Sequence, residues 1–174
     1  MKKPNLLFLF ADQWRRDAVG FMKKEKVFTP NLDEFSEEAV IFNNAYSTCP
    51  LCSPSRASIL TGKYPISHGV ITNCKPGLED VALKENDITI GDVLKEEGYA
   101  TGYIGKWHLD EPEAQKGNIP ESGAKDWDAF TPPGPKRHGF DFWYSYGADD
   151  NHMTPHYWSD SVEQIKVKKW SVEH

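Results

Sequence analysis

Asn5-Leu6-Leu7-Phe8-Leu9-Phe10-Ala11-Asp12 is an unbroken apolar run that ends on a carboxylate. A run without alternation suits a strand covered by helices on both faces, as in a parallel sheet. It predicts a first strand over residues 5–11, with Asp12 at its C-terminal end. Thr29-Pro30 then reads as a helix N-cap followed by proline in the first turn, and Leu32, Phe35 and Ala39 form a helical apolar stripe, so a helix is expected from residue 30 to about 38. Val40-Ile41-Phe42 predicts a short strand.

The loop 46–52 is rich in small and turn-forming residues and delivers Cys52 to a second helix. That helix is marked by Ser53 as its cap, Pro54 at its first position and Gly62 just past its end. Thr89-Ile90-Gly91-Asp92 has capping-box spacing, Ile90, Val93 and Leu94 form the expected buried side, and Gly98 supplies the stop before a strand over 99–104. Strand, helix, strand, helix, strand argues for an α/β domain, a mostly parallel sheet flanked by helices. From Asp110 to His138 proline, glycine and charge dominate, predicting a long surface excursion; residues 140–146 predict another strand and 164–170 an edge strand. The expected organisation is one domain over 1–174, with a core at 5–108 and a loop-rich region at 109–174. No internal repeat is present, and an end at Glu173-His174 without a closing helix predicts a fold incomplete at its C-terminus.

Length and composition set the class. The 174 residues, 39% hydrophobic and 26% charged, describe a globular domain. A net charge of −6 excludes broad nucleic-acid binding, which needs a basic surface to displace phosphate counterions. Lys2 and Lys3 before the apolar run imitate a secretory signal, yet the run stops at Asp12-Gln13-Trp14 with no small-residue cleavage site, and it is too short to span a membrane. The expected location is the cytoplasm, with a periplasmic or secreted protein whose signal has been removed as the alternative. Three cysteines, Cys49, Cys52 and Cys74, are too few and odd in number for a disulfide framework.

Cys52-Ser53-Pro54-Ser55-Arg56, followed by Leu60-Thr61-Gly62-Lys63, carries the chemistry. It places a thiol at a helix N-terminus, where free N–H groups and the helix dipole favour an anion, with arginine about one turn along. The same surroundings lower a thiol pKa, so a thiolate nucleophile or a redox centre is also open. Cys49-x-x-Cys52 admits a thioredoxin-like pair or half a zinc site, although no second Cys-x-x-Cys completes one. Cys49 and Cys74 read as plain thiols.

These residues resemble the signature of the formylglycine-dependent type I sulfatases, in the alkaline-phosphatase-like superfamily. A second stretch, Gly98-Tyr99-Ala100-Thr101-Gly102-Tyr103-Ile104-Gly105-Lys106-Trp107-His108, is similar to that family's second signature. The resemblance implies that Cys52 is oxidised to Cα-formylglycine by a formylglycine-generating enzyme or an anaerobic sulfatase-maturating enzyme. Hydrated formylglycine is a geminal diol: one hydroxyl attacks sulfur and expels the alcohol, and the other then loses its proton so that the diol collapses and releases sulfate. The resemblance further implies a Ca²⁺ ion, or Mg²⁺, held by Asp12, Gln13 and the modified Cys52. Gln13 stands where many members have a second aspartate, but its carbonyl still suits a hard cation. Arg56 is then expected to stabilise the deprotonated diol. Lys106 and His108 are expected to bind sulfate oxygens or assist the departing alcohol.

The implied reaction is hydrolysis of a small-molecule or carbohydrate sulfate ester, with no nucleic acid or membrane as partner. Phosphonate or phosphodiester hydrolysis, an inactive truncated fragment, and a Cys-x-x-Cys module are the alternatives. His68 is expected to be structural, and Asp149-Asp150-Asn151-His152 to be a surface loop or substrate contact. His152 and His156 have helical spacing, but Pro155 between them argues against a helical metal pair. Trp143, Tyr144, Tyr157 and Trp158 read either as a stacking platform for a sugar or aryl ring or as core.

Overall fold

A computed structural model of the chain describes residues 3–114 and 118–174, so Lys2 of the signal-like start lies outside the described residues. The chain divides into two compact units, Met1–Tyr46 and Ser47–His174.

The first unit holds a 3-10 turn, Gly20–Met22, and helix α1, Pro30–Glu38, where the proline and the apolar spacing predicted it. Thr29 occupies the N-cap position without capping. Its hydroxyl accepts the Gly20 N–H at 2.8 Å and donates to Asp33 Oδ1 at 2.9 Å, while Asp33 also accepts the Phe21 N–H at 2.8 Å. The polar start of α1 is thereby spent on fastening the 3-10 turn.

The expected strand at 5–11 makes no ladder with any described residue, and the same holds for 40–42. Leu7 is 84% exposed and Leu9 83%, and the α1 stripe at Leu32 and Phe35 is exposed as well. The cause is physical: a strand exists only with a hydrogen-bonding neighbour, and one helix with one turn supplies no second layer against which an apolar face could close.

The second unit carries the core. Helix α2, Cys52–Thr61, ends at Gly62, whose N–H bonds the Ser58 carbonyl. Helix α3, Pro65–His68, follows. Helix α4, Ile90–Glu96, begins with a complete capping box: the Thr89 side chain accepts from the Gly91 and Asp92 amides, and Asp92 Oδ2 accepts the Thr89 N–H at 2.9 Å. Gly98 stops it as predicted, with its N–H on the Lys95 carbonyl. The buried side of α4 differs from expectation. Ile90 and Val93 are about half exposed, and Gly91 is the buried residue, because this helix lays its backbone rather than its apolar side chains on the loop at residues 138–140.

Strand β1, Gly102–Lys106, pairs in parallel with β2, Phe142–Tyr146, in register from Gly102 with Phe142 to Lys106 with Tyr146. Both strands begin two or more residues later than the apolar runs suggest, since Thr101 holds the crossover: its carbonyl accepts the Phe142 N–H at 2.9 Å and its hydroxyl bonds the Gly139 carbonyl. The expected edge strand at 164–170 shrinks to β4, Ile165–Lys166, antiparallel to β3, His156–Tyr157. A bridge between Ser145 and Trp158 adds this hairpin's side to β2.

Beneath the parallel pair Ala57, Val70, Cys74, Leu83, Trp107, Leu109 and Trp143 form the buried cluster. Tyr103 stacks on Trp143 at 5.1 Å and meets Trp107 edge-on at 5.0 Å, so three large rings fix the end of β1. Among the described residues no helix is long and apolar enough to cross a membrane.

The packing of α4 gives a test. In an exposed helix Gly→Ala is stabilising by about 1 kcal/mol. At Gly91 a Cβ would stand 2.4 Å from the His138 carbonyl oxygen and 2.9 Å from the Phe140 ring. Gly91→Ala is therefore expected to reverse the sign and destabilise by about 1–3 kcal/mol, read as a lower urea midpoint. A midpoint that rises would show that α4 does not rest on this loop.

Candidate active site around Cys52 and Lys106

Cys52 is the first residue of α2, as the motif predicted, with Leu51 in extended conformation before it. Hydroxyls set the entry. Ser47 Oγ donates to the Cys49 carbonyl at 3.0 Å and Thr48 Oγ1 donates to Ser58 Oγ at 3.0 Å. His68 continues this chain. Its Nδ1 accepts the Val70 N–H at 3.1 Å, so Nε2 carries the proton and donates to Ser58 Oγ at 3.1 Å. Burial lowers the His68 pKa, with Asp87 opposing and Lys63 reinforcing the shift. His68 is thus the structural residue the sequence suggested.

The amides at the start of α2 are less open to an anion than a bare helix end. The Ser53 N–H goes to Asn73 Oδ1 at 3.1 Å, Pro54 has none, and the Ser55 N–H bonds the Leu51 carbonyl. Ser53 does not cap the helix either: its buried hydroxyl accepts the Cys74 N–H at 3.1 Å. Positive charge at Cys52 comes instead from β1. Lys106, whose side chain is 7% exposed, places Nζ 3.9 Å from Cys52 Sγ and 3.4 Å from Asp150 Oδ1.

Arg56, one turn into α2, is buried and its Nη1 donates to the Lys106 carbonyl at 2.6 Å. The Tyr103 hydroxyl donates to the same oxygen. Gly105, just before Lys106 in β1, has φ of +104°, a conformation that L side chains rarely adopt. His108 is also left-handed, with φ of 52°, and is buried at 3% exposure. Its Nε2 lies 3.0 Å from the Cys74 carbonyl, which only accepts, so the proton is on Nε2. The Cys74 backbone therefore links Ser53 at the start of α2 to His108 after β1.

The structure thus brings Cys52, Arg56, Lys106 and His108 into one unit around the start of α2. Asp12 and Gln13 lie in the first unit, both exposed, with Gln13 left-handed at φ of 51°. Cys49, Cys52 and Cys74 are all free thiols. Cys74 is buried, and burial pushes its pKa up to about 11, which makes it the inert thiol expected.

Three contributors escaped the sequence reading. Asn73 caps the Ser53 amide from twenty residues away and Tyr103 supports the Lys106 carbonyl; neither has a local signature. Asp128, 1% exposed, pairs with His156 Nε2 at 2.8 Å, and His156 Nδ1 lies 3.2 Å from Asp149 Oδ2. His156 thus pairs with two carboxylates and not with His152, whose Nδ1 faces Ser171. Trp143, Tyr157 and Trp158 are buried and Tyr144 stacks on Tyr157 at 4.6 Å, so these rings are core.

A family model described as Sulfatase matches residues 4–165. The chain is 39% identical to an endo-4-O-sulfatase of Bacteroides thetaiotaomicron, over 98% of this chain and 36% of that protein. It is also 39% identical to an ulvan-active sulfatase of Formosa agariphila, over 97% of this chain and 29% of the relative. A Bacteroides fragilis crystal structure assigned as the sulfatase yidJ superposes with a TM-score of 0.87 at 42% identity, covering 96% of this chain and 37% of that one. The chain spans about a third of the length of the curated relatives it matches. The structural likeness bears out the α/β, alkaline-phosphatase-like class read from the sequence.

Asp110, two residues beyond His108, yields a pH test. Burial raises its pKa from 3.8 to about 6, against the Thr131 hydroxyl and Lys136, which favour the charged form. The folded state therefore holds this proton more tightly than the unfolded chain, and stability falls as pH rises from about 4 to about 6. A rise of that size corresponds to about 3 kcal/mol. Asp110→Asn is expected to remove that slope, measured as the difference between the urea stabilities of the two proteins across this range. Parallel pH profiles would show that Asp110 is not the group responsible.

Proposed function

The chain belongs to the sulfatase family, and we propose that its Cys52–Lys106 corner is where a sulfate ester is held and its sulfur attacked. One observation carries the reading: Lys106 Nζ stands 3.9 Å from Cys52 Sγ, at the start of a helix, across 54 residues of sequence. A buried ammonium beside the nucleophile's position is what a sulfate group requires, since its oxygens carry the charge and need a fixed cation at the point of attack.

Each residue has a task. Cys52, converted to formylglycine by a maturating enzyme, supplies an aldehyde-derived nucleophile that is regenerated after each turnover, which a thiol would not be. Lys106 binds a sulfate oxygen. Its position depends on Arg56, which holds the Lys106 carbonyl and adds positive charge one turn along α2. His108 presents a ring fixed in one tautomer by the Cys74 carbonyl, suited to a hydrogen bond with the substrate or a proton for the leaving alcohol. Asp12 and Gln13 are exposed oxygen donors, the hard set that Ca²⁺ takes and Mg²⁺ shares, and such an ion, if held by them, would supply Lewis-acid polarisation of a sulfate group.

Carbohydrate sulfates are the favoured substrate class. The support is the names of the relatives, an endo-4-O-sulfatase, an ulvan-active sulfatase and an N-acetylgalactosamine-6-O-sulfatase.

Co-expression with a formylglycine-generating enzyme is expected to convert Cys52, seen as the mass change from thiol to aldehyde in its peptide and as a further change on borohydride reduction. Release of nitrophenol from a nitrophenyl sulfate is then expected to vanish in Cys52→Ala and to fall by about 10²–10³ in Lys106→Ala. A thiol that stays unmodified beside an active maturating enzyme would sink the reading. Faster release from the matched phosphate would assign the site to phosphate esters instead.

A further inference from the structure

Resting on that reading of the corner, we infer that Asp150 is a specificity-determining residue. It accepts a hydrogen bond from a hydroxyl or amino group next to the sulfate ester and disfavours substrates with a second anion there. Asp150 Oδ1 lies 3.4 Å from Lys106 Nζ, so the carboxylate borders the place where sulfate would sit. Its side chain is 73% exposed while that of Lys106 is 7% exposed. One oxygen thus touches the buried ammonium, and the remaining lone pairs face outward, open to a donor. An ionised carboxylate accepts only, which selects hydroxyl and ammonium groups and repels sulfate or carboxylate neighbours.

With the Asp150 carboxylate this open to water, the pair contributes little to stability. The loop beneath it is nevertheless built to stay in place. Gly147 packs so closely that a Cβ would stand 2.5 Å from Asp128 Oδ1, and the same oxygen accepts the Ala148 N–H at 2.9 Å. The other Asp128 oxygen takes His156 Nε2 at 2.8 Å, while His156 Nδ1 reaches Asp149 at 3.2 Å. Asp149 Oδ1 in turn accepts the Asn151 N–H at 3.2 Å. Asp149 is therefore tied through His156 to the buried Asp128 and Asn151 is tied to Asp149, which leaves the Asp150 side chain facing out. Both ring nitrogens of His156 are engaged by carboxylates, which makes this group a clamp on the loop.

The test is calorimetric binding to the full chain with Cys52 unmodified, so that nothing turns over, using inorganic sulfate, galactose 4-sulfate and galactose 6-sulfate. Asp150→Asn removes a negative charge beside Lys106 while weakening the acceptor. Inorganic sulfate is expected to bind several-fold tighter, and the better-bound sugar sulfate roughly tenfold weaker. His156→Gln, which loosens the clamp, is expected to reduce the preference for the sugar over inorganic sulfate, and Asp150→Glu to keep part of it. A purely structural role for Asp150 would move all three ligands in the same direction, and that result, or an unchanged preference, overturns the inference. Lys106→Ala separates the two levels: sulfate binding that is absent, or indifferent to Lys106, overturns the reading of the site itself. Lys106-dependent binding with an unaltered preference overturns only the role of Asp150.

Discussion

The hydrogen bond from Arg56 to the carbonyl of Lys106 decides the geometry of everything around it. A guanidinium donor buried under a helix must be satisfied, and a strand-end carbonyl buried beside it must be satisfied too; each solves the other's problem across 50 residues of chain. The Tyr103 hydroxyl takes a second share of the same oxygen, and its ring is wedged among Trp107, Trp143 and Phe140. The start of α2 and the end of β1 are in this way one object. Cys52 and Lys106 stand at its edge, with Nζ 3.9 Å from Sγ.

What lies on either side of that object explains which parts of the fold were legible. Local devices read correctly: the capping box at Thr89, the stops at Gly62 and Gly98, and the proline-led start of α1 each depend on residues within one turn. Elements that depend on a partner read less well. The apolar run at 6–10 has the composition of a buried strand but no ladder among the described residues, and β1 begins at Gly102 because Thr101 dictates where β2 can join. Ser53 looked like a cap by its position before proline. Cys74, distant in sequence, claims its hydroxyl instead.

The site shows the same division. Cys52, Arg56, Lys106 and His108, the residues of the proposed site, could be singled out because their spacing is carried by two continuous motifs. The hydrogen bond from Arg56 to the Lys106 carbonyl was not visible, since 50 residues separate the two and nothing local to either announces it. Asp128 and His156 were invisible as a pair for the same reason: 28 residues separate them, and the proline before His156 argued only against a helix. Charge was least legible of all. A net −6 says little about a corner where one buried ammonium meets one exposed carboxylate.

The separations that hold the corner together also impose an order in time. Cys52 to Lys106 spans 54 residues, Lys106 to Asp150 another 44, and Cys74 to His108 34. Contacts of that span close late, because chain entropy is lost before they give anything in return. Helix α2, held by bonds four residues apart, needs none of them. As the chain leaves the ribosome, Cys52 emerges well ahead of the lysine that comes to lie beside it, so the two sides of this corner are made at different times.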